Sequence, residues 1–328
     1  MSYCANVFPA IIRAVSTVES IYPTGFIFCA LFAITMNLNA GEDTFFQVKK
    51  SLNCRGKLLD LSTPAIMAIL NITPDSFYDG GQISDHNSIL YTAEAMLKEG
   101  AGILDIGGQS TRPGANRISA IEEWERIGHA LKQIRNNFPD AIISVDTFYS
   151  EVAIKAVKEG ASIINDISAG EFDPLMYSFI SDSQTPYVIM HMQGSPENMQ
   201  KNPHYDNVVS EVMNYFIKKV TLLRKMGLHD IIIDTGFGFG KTTEHNYSLL
   251  NNLALFRMLN CPILAGISRK SMITKTLNVK PADALNGTTV LNTIALLNGA
   301  SLLRVHDVAE AVEVKKIVQK YKLSDLRL

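Results

Sequence analysis

Cysteine is scarce in this 328-residue chain, and the four that occur lie far apart: Cys4, Cys29, Cys54 and Cys261. They form no C-x-x-C pair, so the sequence predicts neither a zinc site nor a disulfide framework and is compatible with a reducing compartment. Charge is low and balanced, with 19% charged residues and a formal net charge of -2. Without an excess of positive charge, the chain is not expected to bind nucleic acid.

Long hydrophobic runs are also missing. The apolar stretch over residues 25–36 is shorter than the ~20 residues that a membrane-spanning helix needs. It could be the apolar part of a secretory signal, with Arg13 before it and Ala40 at a small-residue cleavage site. Alternatively, translation starts later, for instance at Met36, or the segment is a loosely packed extension. We predict an N-terminal extension over residues 1–50 and one domain over residues 51–328.

The rest of the chain alternates short apolar runs with segments of helical periodicity. A tight turn at Arg55 and Gly56 predicts a small hairpin that caps one end of the domain. Eight runs are typical of strands buried on both faces: 66–72, 103–107, 142–146, 163–167, 187–191, 231–234, 263–267 and 302–306. Helical segments follow them, the last three over 245–259, 281–298 and 308–321. This pattern predicts a closed (β/α)8 TIM barrel, with a doubly wound open sheet as the alternative.

Polar residues stand where the predicted strands end. In a barrel, the loops that leave the C-terminal ends of the strands carry function. Any one polar residue there could be a satisfied strand end, but a set of Asp, Asn, Arg and Lys that meets at one mouth is costly unless a ligand satisfies it. We therefore predict a polar binding cavity. Its candidate residues are Asn71, Asp105, Asp146, Asn165, Asp166, His191, Asp234, Ser268, Arg269, Lys270, Arg304 and His306.

Two longer segments carry a resemblance to a known family. The segment ILNITPDSFYDGG over residues 69–81 and the segment DIGGQSTRPGA over residues 105–115 are similar to the two signature segments of the dihydropteroate synthase family. The resemblance runs from about Cys54 to the C-terminus. It implies a pterin-binding barrel that joins 6-hydroxymethyl-7,8-dihydropterin diphosphate to 4-aminobenzoate. Diphosphate would leave by a dissociative, SN1-like route.

The resemblance also assigns roles to the polar residues. It implies a pterin pocket, whose flat ring of amide and amidine groups needs carboxylate, amide and cationic partners. The implied pocket residues are Asp146, Asn165, Asp234, Lys270 and Arg304, and we add Met192 and Phe239 as lining residues. Ordinary core filling is the alternative for the methionine.

Diphosphate needs cations and N–H donors, and barrels often bind phosphate after their last two strands. We predict diphosphate contacts from Asn71, Thr111, Arg304 and His306, and the resemblance implies that Asn71 holds Mg²⁺.

The loops over 73–81 and 107–115 are rich in glycine and proline and are candidate lids. The predicted 4-aminobenzoate site contains Phe77, Thr111, Arg112, Pro113 and Ser271. Asp79 is our candidate for stabilising a cationic pterin. The predicted catalytic set is Asp79, Arg112, Lys270, Arg304 and His306.

Three further features qualify the match. The segment GFGFGK over residues 236–241 has neither dinucleotide nor Walker spacing, so we interpret it as a flexible loop beside the pterin, with Lys241 facing solvent. The family commonly has Glu where Gln109 stands and Pro where Thr235 stands. The first difference could alter how the second loop is anchored, and the second could loosen the turn after the sixth strand.

The family acts on soluble metabolites, so we expect a cytoplasmic protein without a membrane segment, which favours a late start or an extension over a secretory signal. The resemblance also implies a homodimer that pairs through helices near the C-terminus. Alternatives remain: a corrinoid-dependent methyltransferase with a similar pterin pocket, a non-catalytic pterin-binding partner subunit, or a barrel unrelated to pterins.

Overall fold

A hairpin opens the described part of the chain. The computed structural model describes residues 48–72, 86–110, 115 and 117–324. Strand β1 (Ser51–Cys54) pairs antiparallel with β2 (Lys57–Asp60). Arg55 and Gly56 join them with φ angles of 57° and 84°, as a two-residue hairpin turn requires. Leu52 and Cys54 are buried, so this hairpin is the predicted cap.

A barrel of eight strands follows the hairpin. The strands are β3 (Ala65–Asn71), β4 (Ile103–Gly107), β5 (Ile142–Asp146), β6 (Ile163–Asp166), β7 (Tyr187–Met190), β8 (Ile231–Asp234), β9 (Ile263–Ala265) and β10 (Leu302–Val305). Neighbouring strands are parallel, and β10 pairs with both β9 and β3, which closes the barrel. The predicted (β/α)8 fold is therefore confirmed.

The interior of the barrel is filled by apolar side chains at its N-terminal end. One buried cluster combines side chains of all eight barrel strands, such as Met67, Ile103 and Leu302, with Leu52 and Cys54 of the hairpin. Burying one such side chain contributes about 1.5–3 kcal/mol, so the cluster anchors the hairpin firmly. Side chains alternate along a strand, so residues two and four places further on also face inward. Those positions hold the polar residues.

Helices cover the outside of the barrel. They are α1 (His86–Glu99), α2 (Ala120–Asn137), α3 (Ser150–Lys158), α4 (Leu175–Ser183), α5 (Val208–Lys225), α6 (Thr243–Asn251), α7 (Ser271–Leu277), α8 (Leu285–Leu297) and α9 (Val308–Ser324). Gly100, Gly160 and Gly299 follow three of them with positive φ, between 95° and 112°, where glycine is the residue of least strain.

Two details differ from the sequence prediction. Helix α7 was not predicted, because its seven residues are too few to show helical periodicity, and it ends at Asn278 in a left-handed conformation. The single helix predicted over 245–259 is α6 followed by a 3-10 helix, Leu253–Leu259, with Asn252 between them. Likewise, a short 3-10 turn, Pro281–Asp283, precedes α8.

Some sequence predictions lie outside the described residues. These are the predicted extension up to residue 47 and the site residues Phe77, Asp79, Thr111, Arg112 and Pro113. The boundary near residue 50 therefore stays a prediction. None of the helices in the described part of the chain is long and apolar enough to span a membrane.

Candidate functional site

Strand register brings the polar residues together at the C-terminal mouth of the barrel. Asn71 lies beside Gly107, Gly107 beside Asp146, and Asp146 beside Asn165, so four neighbouring strands place their ends in one row. Gly107 lies between two of these side chains: a Cβ there would be 3.8 Å from Asn71 Oδ1 and 3.5 Å from Asp146 Cβ. On the opposite side, Met190 of β7 lies beside Asp234 of β8.

Arg304 links this row to the last strand. Its Nε donates to Asp105 Oδ2 at 2.6 Å, and its Nη2 donates to Asp146 Oδ2 at 2.7 Å. Asn165 Nδ2 donates to the same oxygen of Asp105 at 3.2 Å. Four strands thus contribute to one hydrogen-bonded network, which fixes the orientation of three of the predicted pterin residues: Asp146, Asn165 and Arg304.

Burial and the neighbouring charges shift the pKa values of Asp146 and Arg304. Burial raises the pKa of Asp146 to about 7; Arg304 opposes the shift, whereas the nearby carboxylates of Asp105, Asp166 and Asp234 add to it. For Arg304, burial lowers the pKa, but Asp105 and Asp146 outweigh burial and hold it above its ordinary value. Arg304 is therefore a permanent cation, and Asp146 is a carboxyl group whose charge changes near neutral pH.

Asp105 is a member of the predicted polar cavity to which the sequence reasoning gave no role. It is completely buried, it holds Arg304 and Asn165, and its Oδ1 has no hydrogen-bond partner among the described residues. Its position in the sequence offered a signal, because it stands two residues after Ile103 in an apolar strand and so faces the interior. A carboxylate inside a barrel strand needs a partner, and Arg304 is that partner.

Lys270 and Asp234 form the other side of the mouth. Gly266 lies between them and Arg304: a Cβ there would be 3.7 Å from Asp234 Oδ2 and 3.7 Å from Lys270 Nζ. The Lys270 ammonium donates to the carbonyl of Phe237 and lies 4.7 Å from the centre of the Phe239 ring. Burial lowers the pKa of Lys270 to about 8, and Asp234 opposes this shift. Burial also raises the pKa of Asp234.

Both predicted lining residues belong to an apolar cluster beside the mouth. Phe239 is buried in it, and Met192 is partly buried against it, together with Met190 and Phe148. Their placement is compatible with a pocket wall and equally with core filling.

Lys241 does not face solvent, contrary to the sequence prediction. Its side chain is buried, and its Nζ lies within hydrogen-bond distance of four groups. The prediction was wrong because the glycines of the loop over residues 235–241 allow the chain to fold around the ammonium, a contact that local sequence does not reveal.

The predicted diphosphate corner lies where β9 and β10 end. His306 is exposed, and its backbone N–H donates to Ser268 Oγ at 3.3 Å. Arg269 makes two hydrogen bonds to Asp307, of 2.9 and 2.6 Å, and so ties the loop after β9 to the residue after His306. Ser271 is exposed at the first residue of α7, and Asn71 is half-buried at the tip of β3.

The two departures from the family pattern have separate consequences. Gln109 Oε1 accepts a hydrogen bond from the Ile118 N–H at 3.1 Å, so the amide still ties the stem of the second loop together. The Ile118 carbonyl accepts from Tyr149 at 2.6 Å, which secures the same point. Thr235 is buried, and its hydroxyl has no hydrogen-bond partner among the described residues. A buried unpaired hydroxyl lowers stability, and proline at this position would have no hydroxyl to leave unpaired.

Comparison with known proteins agrees with this geometry. A family model described as pterin binding enzyme matches residues 67–306. Dihydropteroate synthase of Escherichia coli is 45% identical over 273 residues, covering 82% of this chain and 95% of that protein. That of Haemophilus influenzae is 45% identical over 271 residues, covering 82% of this chain and 98% of that protein.

Solved structures give the same result. Yersinia pestis dihydropteroate synthase in complex with a sulfonamide drug has a TM-score of 0.78 and 39% identity, covering 84% of this chain and 99% of that one. The Xanthomonas albilineans enzyme in complex with 7,8-dihydropteroate has a TM-score of 0.75 and 35% identity, covering 83% of this chain and 98% of that one. The chain therefore belongs to the dihydropteroate synthase family of pterin-binding transferases.

Proposed function

We propose that this chain condenses 6-hydroxymethyl-7,8-dihydropterin diphosphate with 4-aminobenzoate to give 7,8-dihydropteroate and diphosphate. The observation that carries the proposal is the Arg304 network, which gathers Asp105, Asp146 and Asn165 at the mouth of the barrel. Such a concentration of buried charge is retained where a polar ligand completes it. A pterin ring supplies the alternating N–H donors and acceptors that would do so.

In this proposal some pocket residues form hydrogen bonds to the pterin ring and others supply positive charge. The carboxylates of Asp146 and Asp234 accept from the N–H groups of the pterin ring, and Asn165 offers both a donor and an acceptor. Lys270 and Arg304 provide positive charge between the ring and the leaving group. Because these side chains are already held by protein hydrogen bonds, they need little reorganisation when the substrate binds.

In this proposal, positively charged side chains stabilise the leaving diphosphate. Arg304, His306 and Arg112 are our candidates for contacts to it, with Thr111 as a hydroxyl donor. Negative charge grows on diphosphate as the carbon–oxygen bond breaks, so fixed cations there lower the barrier. We propose a dissociative route in which bond cleavage runs ahead of attack by the amine, and Asp79 stabilises the cationic pterin.

Mg²⁺ is part of the proposal. No cluster of three or more His, Cys, Asp or Glu side chains suited to a metal lies among the described residues. The half-buried Asn71 amide at the mouth nevertheless fits Mg²⁺, which keeps several waters and takes most of its other ligands from substrate phosphates. Asn71 would hold the ion, and the ion would neutralise charge on the departing diphosphate.

The test of the proposed function is diphosphate release by the purified protein. We expect release that requires pterin diphosphate, 4-aminobenzoate and Mg²⁺ together, that stops when EDTA is added, and that a sulfonamide inhibits in competition with 4-aminobenzoate. A methyltransferase or a non-catalytic pterin-binding subunit would release no diphosphate under these conditions, and that result would overturn the proposal.

We also propose that the chain works as a homodimer in the cytoplasm. The free, buried thiols of Cys54 and Cys261 are compatible with a reducing compartment. Helices α8 and α9 pack against each other and leave large apolar side chains exposed. These are Val290, Ile294 and Leu297 on α8, and Ile317 and Tyr321 on α9. Several exposed apolar side chains on two adjacent helices are typical of an interface, and a second copy of the chain would cover them.

The dimer surface leads to a first prediction. We expect Ile294→Glu combined with Ile317→Glu to convert the dimer into a monomer, because each change places a charge in an apolar contact. Sedimentation equilibrium gives the mass directly. The matched control is Ile121→Glu on α2, where the isoleucine is 63% exposed, close to the 68% of Ile317, and this change should leave the mass unchanged. A double variant that remains dimeric places the interface elsewhere.

A further inference from the structure

Lys241 is a buried lysine that the proposed reaction does not use; burial lowers its pKa to about 7, and Asp234 opposes this shift. Its Nζ lies 3.0 Å from His191 Nδ1 and 3.1, 3.0 and 2.9 Å from the carbonyl oxygens of His191, Gly236 and Phe239, so these four acceptors share its three N–H groups. Burial lowers the pKa of His191 to about 3, so the imidazole is neutral and can accept from the ammonium. Every hydrogen bond of Lys241 therefore points into protein.

The loop over residues 235–241 is folded around this ammonium. Gly236, Gly238 and Gly240 all have positive φ, between 60° and 83°. A Cβ at Gly236 would lie 2.0 Å from the His191 carbonyl, and a Cβ at Gly240 would lie 2.4 Å from the Gln193 carbonyl. The loop thus packs backbone to backbone against the segment after β7, which only glycine allows.

The same loop contacts the predicted pterin pocket on its other side. The carbonyl of Phe237 accepts from Lys270, and the Phe239 ring lies under the same ammonium. Gly238 lies alongside as well, since a Cβ there would be 3.3 Å from Lys270 Cδ. The two lysines therefore hold neighbouring peptide groups of one loop, Lys241 from inside the protein and Lys270 from the mouth.

Asn246 of α6 supports the loop at a separate point. Its Oδ1 accepts from the Gly238 N–H at 2.7 Å, and its Nδ2 donates to the Thr242 carbonyl at 2.6 Å. Asn246 is almost completely buried. Lys241 and Asn246 thus hold three backbone groups of the loop: the carbonyls of Gly236 and Phe239 and the N–H of Gly238.

We propose that Lys241, supported by Asn246, is a positioning residue for pterin recognition, which acts by fixing the loop that orients Lys270 and Phe239. The inference rests on the proposed function, because it takes Lys270 and Phe239 to be pocket residues. Lys241 itself lies too deep to contact the substrate. Its removal would leave three carbonyls and His191 without their donor, and the loop would rearrange to recover hydrogen bonds from water or other groups.

The experiment compares Lys241→Met with Lys219→Met. Lys219 is a matched control, because its ammonium also donates to a buried carbonyl, that of Ala169, and lies over two tyrosine rings, but it does not contact the loop. Titration calorimetry with 6-hydroxymethyl-7,8-dihydropterin, at a temperature where both variants are folded, should show affinity weakened by about 10-fold or more in Lys241→Met. Lys219→Met should bind like the wild type even if its melting temperature falls.

Steady-state kinetics give a second readout. In Lys241→Met the KM for pterin diphosphate should rise more than kcat falls, whereas general destabilisation would not weaken pterin binding selectively. Unchanged pterin affinity in folded Lys241→Met overturns the inference. If that variant is not recovered folded, Asn246→Ala decides in the same way: weakened affinity supports the inference and wild-type affinity overturns it. Failure of the wild type to bind pterin would instead overturn the proposed function.

Discussion

Replacing Arg304 by methionine is expected to lower the free energy of unfolding by about 3–5 kcal/mol at pH 8, because removal of one partner leaves buried carboxylates uncompensated. Asp105 is completely buried and Asp146 nearly so, and both lose their ion-pair partner at once. The Arg304 side chain is 20% exposed, so water softens the loss and the lower end of the range applies. Pterin binding and diphosphate release should disappear as well. Urea unfolding measures the change in stability.

The pH dependence of the stability lost in Arg304→Met tests whether the broken ion pairs cause the loss. Without Arg304 the pKa of Asp146 should rise above its present value of about 7, whereas an unfolded aspartate titrates near ~3.9. A carboxyl whose pKa is raised by folding favours the native state at low pH, and this contribution is lost as pH rises through the native pKa. The variant should therefore be least destabilised near pH 5. The control, Arg135→Met, removes an arginine that donates to the carbonyls of Pro139 and Gly160 and should show no such dependence. An equal loss at both pH values would contradict the ion-pair explanation.

Replacing Asp146 by asparagine should abolish binding of pterin diphosphate while leaving the fold intact. A carboxylate that accepts from ring N–H groups becomes an amide that presents N–H to N–H, so the expected loss of affinity is about 100-fold or more by the cost of an unpaired buried donor. Arg304 keeps Asp105 as a partner, and the repulsion between Asp146 and the carboxylates of Asp105, Asp166 and Asp234 is removed. We therefore expect a melting temperature at pH 8 equal to or above that of the wild type.

The wild type supplies an independent check of the same carboxyl group. Burial raises the pKa of Asp146 to about 7, so the charged acceptor is present above that pH and is lost below it. Affinity for 6-hydroxymethyl-7,8-dihydropterin, which lacks a titrating diphosphate, should fall as pH is lowered from 8 to 6. Asp140→Asn, an exposed aspartate at the other end of the barrel, should follow the wild type. Calorimetry that finds wild-type affinity in Asp146→Asn would refute the role.

The barrel could be predicted because its signals are local and repeated. Short apolar runs, helical segments and glycines after helices recur with enough regularity to define strands and connections. The polar ends of the strands were visible for the same reason: Asn71, Asp146 and Asp234 each follow an apolar run. In a closed parallel barrel, all such ends must meet at one mouth.

The contacts among those residues could not be predicted in the same way. Arg304 and Asp105 are separated by 199 positions, and Lys241 and His191 by 50, so no local pattern shows that they meet. Asp105 received no role because the sequence marks it only as one polar residue in a strand. Lys241 was misplaced because a glycine-rich loop can fold inward as readily as outward, and the choice depends on what His191 and the surrounding carbonyls offer.

The hairpin of β1 and β2 has a consequence for the path of the substrates. It fills the N-terminal end of the barrel with Leu52 and Cys54, which pack against apolar side chains of all eight barrel strands, so a ligand would reach the polar residues from the C-terminal mouth. A molecule held near Asp146 and Asn165 must then pass every position nearer the rim on its way in. A ligand bound nearer the rim would block the path to Asp146 and Asn165, so the deeper ligand would have to bind first.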